Sequence, residues 1–134
     1  MAMTNAFDID ARDPTPLYAQ LERAIRFAIA TGRLGIGDQL PTVRQLAVNL
    51  RINANTVAKV YAELERAGVV ETRRGVGTFV REPDSKTLTS RRRTAAQEQR
   101  LRVLSERFLA EANMLGFSPA EVVEHLRRRV REGE

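Results

Sequence analysis

Apolar residues recur along this chain at three- and four-residue steps, interrupted by short polar or glycine-bearing stretches. Leu17, Leu21, Ile25, Ala28 and Ile29 set the first period, with Glu22, Arg23 and Arg26 between them. That spacing predicts an amphipathic helix over 15–31. Thr15 is its expected N-cap, Pro16 its first helical residue and Gly32 its stop. Gly35, Gly37 and Pro41 make 32–41 a connection. Thr42-Val43-Arg44-Gln45 then has the form of a capping box, opening a short helix with Val43, Leu46, Ala47 and Leu50 on one face. After the tight connection Arg51-Ile52-Asn53, a third helix is expected over 54–67, with Asn53 as N-cap and Val57, Val60, Tyr61 and Leu64 as its buried stripe. Gly68 ends it.

Two β-type runs, Val69–Arg73 and Thr78–Arg81, flank Arg74-Gly75-Val76-Gly77 and read as a hairpin, with Phe79 directed back onto the helices. The order helix, helix, tight turn, helix, hairpin is that of a winged helix-turn-helix. Beyond Glu82-Pro83-Asp84-Ser85, read as a linker, Leu101, Leu104, Phe108, Ala112 and Leu115 repeat along one long helix that Gly116 terminates. Ser118-Pro119-Ala120-Glu121 is a second capping box, opening a last helix with the stripe Val122, Val123, Leu126 and Val130. The fold class expected is mainly α with a small β-hairpin. A tail over 1–13 leads into a winged helix-turn-helix domain over 14–82 and a helical dimerisation region over 83–134.

Length and composition narrow the function classes. The 134 residues suit one domain, or a small domain with an appendage, and 43% hydrophobic with 29% charged residues describe a globular chain. The absence of cysteine excludes disulfides, thiolate zinc sites and a cysteine nucleophile. His125 is the only histidine and reads as structural or exposed, since a metal site needs several ligands. Asp8, Asp10 and Asp13 lack the glycine and distal glutamate of a calcium loop and read as a solvated, frayed tail. No metal and no cofactor are expected. An enzyme is disfavoured, because there is no G-x-S-x-G and no phosphate loop, and Ser85, Ser90, Ser105 and Ser118 fall in linker, helix or cap contexts. Apolar runs fall far short of the roughly 18 residues of a membrane span, and the first residues lack a secretory signal's apolar region. A cytoplasmic chain with no membrane partner is expected.

Charge matters through its placement. The net charge is +5, and of 22 cations all but Lys59 and Lys86 are arginine, whose planar fork suits phosphates and base edges. The excess is spread over the chain. The first turn of the third helix, however, offers Asn53, Asn55 and Thr56, with Lys59 one turn on, and none of them lies on the apolar stripe. In a helix-turn-helix this turn reaches base edges in the major groove. Asparagine can pair bidentately with adenine, Thr56 can bond a phosphate or meet a thymine methyl, and Lys59 suits guanine or phosphate. Arg44 is placed to contact backbone or a guanine. The bland alternative is that Asn53 merely caps and the others form a solvated face. Arg73, Arg74 and Gly75, at the hairpin, suit a minor groove and close phosphate approach, or else a hairpin made soluble by charge. A winged-helix interaction module without DNA binding would normally show apolar anchors in place of this polar cluster.

These residues carry a resemblance. Pro16-Leu17-Tyr18-Ala19-Gln20, Gly32-Arg33-Leu34, Leu40-Pro41-Thr42-Val43-Arg44-Gln45-Leu46-Ala47, Asn53-Ala54-Asn55-Thr56-Val57, Tyr61-Ala62-Glu63-Leu64-Glu65 and Gly75-Val76-Gly77-Thr78-Phe79-Val80 are similar to blocks of the GntR family of bacterial transcription regulators, over about residues 14–81. The short two-helix tail resembles the YtrA-like subfamily; a MocR-type member would need an aminotransferase-sized second domain. The resemblance implies a homodimeric regulator, usually a repressor, on a palindromic double-stranded operator, and a genomic association with ABC-transporter operons. It places DNA contacts on Arg44, Asn53, Asn55, Thr56, Arg74 and Gly75. Ala54 departs from the proline of many YtrA-like members. Alanine at both 54 and 58, where other branches carry arginine, implies a different operator sequence.

The appendage is too small to bury a core of its own. Its stripes, with Leu101, Leu104, Phe108, Leu115, Val123 and Leu126, therefore call for a second copy of the chain, the alternative being its own winged domain. Arg91-Arg92-Arg93 could add sequence-blind affinity beside phosphates, a contact the sequence leaves open, and Arg127-Arg128-Arg129 are expected on a solvated face balanced by Glu121, Glu124 and Glu132. The sequence identifies no small-molecule effector.

Overall fold

The computed structural model describes residues 7–82 and 94–133, which fall in two compact units, 1–83 and 84–134. Arg91–Arg93 and most of the expected linker lie outside the described residues.

The first unit runs α1 (Leu17–Ala30), α2 (Val43–Leu50), α3 (Ala54–Arg66), β1 (Val70–Arg73) and β2 (Gly77–Val80). Leu21, Ile25 and Ala28 of α1, Leu46 and Ala47 of α2, and Val57, Val60, Tyr61 and Leu64 of α3 converge in one core, closed by Leu34, Leu40, Val70 and Val80. Burying each large aliphatic side chain contributes about 1.5–3 kcal/mol, so this shared stripe, rather than helix propensity, holds short helices in place. The Thr42 capping box forms in full: Thr42 Oγ1 accepts from the Gln45 amide at 3.0 Å, and Gln45 Oε1 accepts from the Thr42 amide at 2.9 Å. The turn between α2 and α3 is made by Arg51 in left-handed backbone, φ 57°.

Three details differ from expectation. Pro16, not Thr15, occupies the N-cap position of α1, without a side-chain cap. Gln20 supplies the missing tie: its Nε2 donates to the carbonyls of Asp10 and Thr15, and its Oε1 accepts from the Asp10 amide at 2.8 Å. Of the segment read as a solvated, frayed tail, the aspartates Asp8, Asp10 and Asp13 are exposed as expected, but Phe7, 4% exposed, joins the core and Ile9 packs against it, so the segment is tied down rather than frayed. Burial of the Phe7 ring in the core holds the segment while its aspartates stay in solvent.

The hairpin pairs antiparallel in the register Val70↔Val80, Glu71↔Phe79, Thr72↔Thr78 and Arg73↔Gly77. Alternation turns Val70 and Val80 inward. Phe79 therefore points away from the helices, which corrects the expectation for it. Both flanks of the hairpin are engaged. On the β2 side, the Leu40 amide donates to the Thr78 carbonyl and the Val80 amide to the Asp38 carbonyl, each at 2.8 Å. On the β1 side, the Thr72 amide donates to Glu65 Oε2 of α3 at 3.3 Å.

The second unit holds α4 (Ala95–Met114) and α5 (Pro119–Gly133). Thr94 and Gln97 form one capping box and Ser118 and Glu121 another. Among its described residues only Ala112 and Val122 are buried. No described helix is long and apolar enough to cross a membrane.

Candidate nucleic-acid interface

The opening of α3 is set by Asn53, whose Oδ1 accepts from the Asn55 amide at 2.7 Å. That bond satisfies an otherwise orphaned helix donor and commits one end of the Asn53 side chain to capping. Asn55 uses only its backbone here, so its side-chain amide remains exposed, beside half-exposed Thr56. Arg44, in the first turn of α2, is also exposed and makes no ion pair among the described residues. Behind this surface, Tyr61 anchors α3 to the preceding connection by donating its hydroxyl to the Pro41 carbonyl at 2.6 Å, and burial pushes its phenol pKa upward.

Two expected contact residues are held by aromatic rings. The Lys59 ammonium lies 4.5 Å from the centroid of the Tyr18 ring of α1, and the Arg73 guanidinium 4.5 Å from that of Phe79. Arg73 also pairs with Glu71 at 3.2 Å. It belongs to the flank of the hairpin, whereas Arg74 and Gly75 form the exposed tip, with Gly75 at φ 77°. The tip is propped from outside the hairpin, since Gln39 Nε2 donates to the Val76 carbonyl at 3.1 Å. Sequence reasoning missed Gln39, Tyr18 and Phe79 as supports: Gln39 stands in no motif, and the blocks that hold Tyr18 and Phe79 do not say which cation each ring faces. Only Tyr18 carried a signal, an aromatic residue off the apolar stripe of its helix.

In the second unit, Leu101, Leu104, Phe108, Leu115, Val123 and Leu126 are all exposed, Leu104 at 60% and Leu115 at 77%. A cleft of about 400 Å³ between α4 and α5 is lined by Phe108, Leu115, Phe117 and Val122, with His125 and Arg128 also on its wall. On α5, Glu124 lies within 4.0 Å of Arg127 and 3.8 Å of Arg131, and Glu132 within 3.5 Å of Arg129. Glu121 instead serves the capping box, and the hydrogen bond from the Ser118 amide, then that with the Ser118 side chain, holds its pKa below the ordinary glutamate value.

Residues 17–80 match the family model for bacterial regulatory proteins of the gntR family. The HTH-type transcriptional repressor YtrA of Bacillus subtilis is 43% identical over 91 residues, which are 68% of this chain and 70% of that one. Among solved structures, YtrA from Sulfolobus acidocaldarius, a GntR-family transcription factor, superposes with a TM-score of 0.57 at 31% identity, covering 78% of this chain and 98% of its own. AraR(DBD) in complex with operator ORX1 superposes with a TM-score of 0.51 at 25% identity, over 55% of this chain and 95% of that one. With its winged helix-turn-helix unit and its extent both matched, this chain belongs to the gntR family of bacterial regulatory proteins and is YtrA-like within it.

Proposed function

We propose that this protein is a sequence-specific transcriptional repressor that binds a palindromic DNA operator as a homodimer. One observation carries the reading: α3 hides its whole aliphatic side while its first turn, with Asn55 and Thr56, is open to solvent. Asn55 reads a base, adenine by its bidentate geometry; Thr56 meets a phosphate or a thymine methyl; Arg44 adds a guanine or backbone contact. Arg74 and the Gly75 amide approach the duplex from the wing. Asn53 acts chiefly as the cap that holds this turn, and Lys59 and Arg73, held on their rings, meet phosphates. The repressor named among its relatives and the operator-bound winged domain support the reading.

Two copies associate through the exposed apolar faces of α4 and α5, because so much aliphatic surface on a two-helix unit is stabilised by burial against its like. Seating two half-sites at once turns modest affinity into high occupancy. The test is binding to the DNA upstream of the protein's own gene, followed by fluorescence anisotropy with unlabelled competitor. Asn55→Ala and Arg44→Ala should each weaken binding by about 1–3 kcal/mol. Circular dichroism should not change, since the cap uses only the backbone of Asn55. Wild-type affinity in both variants would refute these assignments.

A further inference from the structure

We propose that Tyr18 is a positioning residue of the DNA-binding surface, its ring holding the Lys59 ammonium at one flank of α3 so that it meets a phosphate rather than a base edge. This rests on the DNA-binding reading above. Lys59 follows Asn55 by four residues, so the two share the outward face of the helix. A lysine there is a flexible point charge that would otherwise sweep the groove. Its natural tether on the same helix, Glu63 four residues on, is taken by an ion pair with Arg66. The ammonium lies instead 4.5 Å from the Tyr18 centroid, within the roughly 6 Å over which a ring quadrupole attracts a cation.

Tyr18 is otherwise unexplained. It sits in the first turn of α1, is 43% exposed and takes no part in the core cluster. Its hydroxyl makes no hydrogen bond among the described residues. What remains is a ring face aimed at a cation of the recognition helix, contributed by a different helix. The consequence is that α1 takes part in placing a charge on the duplex.

A double-mutant cycle on the full-length protein tests this, using operator DNA at several salt concentrations. Tyr18→Leu keeps an apolar side chain without the ring and should weaken binding about two- to fivefold at low salt. Tyr18→Phe should bind like wild type. Lys59→Ala should lower the salt slope by about one, and adding Tyr18→Leu to it should cost nothing more. An undiminished cost of Tyr18→Leu in the Lys59→Ala background would overturn the proposal, as would a Tyr18→Phe variant as weak as Tyr18→Leu. In the free protein, the Lys59 ε-methylene protons should show an upfield ring-current shift that Tyr18→Leu abolishes. Absence of that shift would overturn the tether even if operator binding holds. A shift seen without any operator binding would leave the tether standing and overturn the regulatory reading and the positioning role with it.

Discussion

Gly77 stands where the wing meets Gln39. Its φ of 144° lies in a region that side chains rarely adopt, and a Cβ there would run into the Gln39 side-chain amide. The same amide holds the Val76 carbonyl, so a substitution at 77 strikes the prop of the wing tip as well as its backbone. Gly77→Ala should lower stability by about 1–3 kcal/mol, measured by thermal unfolding. Gln39→Ala should offset part of that loss, since it removes the collision and leaves only the backbone strain. Few of these supports were legible beforehand. A glycine announces a turn, but which side chain fills the space it leaves depends on a contact 38 residues distant in sequence. Asn55 and Arg44 were legible as exposed, because helical periodicity alone sets them off the stripe, whereas Thr56, off the same stripe, is half-buried. That Lys59 and Arg73 rest on rings was not, because both partners come from other elements.

Element by element, the sequence spoke most clearly where local chemistry decides the structure. The capping boxes at Thr42 and Ser118 follow from side chains three residues apart; the one at Thr94 and Gln97 obeys the same rule, although the residues around it are polar and no apolar period marks the start of that helix. In the N-terminal segment the solvation of its aspartates was legible, but the burial of Phe7, a non-local contact, was not. The Ser118 box makes the start of α5 acid-sensitive. Glu121 has its folded-state pKa depressed by the Ser118 bonds, so its contribution is present above the unfolded value and is lost as pH falls through the folded one. The Ser118 amide resonance should move with a midpoint below that of free glutamate during an acid titration. Glu121→Gln, which keeps the acceptor without the titrating group, should abolish that movement.

For the whole molecule, the two units differ in how much apolar surface they bury. Every member of the main core cluster lies between residues 7 and 80, so the winged unit should fold alone, whereas α4 and α5 leave most of their aliphatic surface uncovered. A chain ending at Glu82 should sediment as a monomer, retain its helical circular dichroism and bind the operator far more weakly than the full chain. A truncated protein that still sedimented as a dimer would mean that the two copies meet elsewhere. The flanks of the hairpin bear on the same question. The residue 38–40 segment covers the β2 edge and Glu65 takes the outward amide of Thr72 on the β1 edge, so a neighbouring molecule cannot extend the sheet from β2 and meets an acidic side chain on β1. Under the proposed pairing through α4 and α5, a concentrated solution of this protein should form dimers through its tail rather than grow into fibrils from its wing.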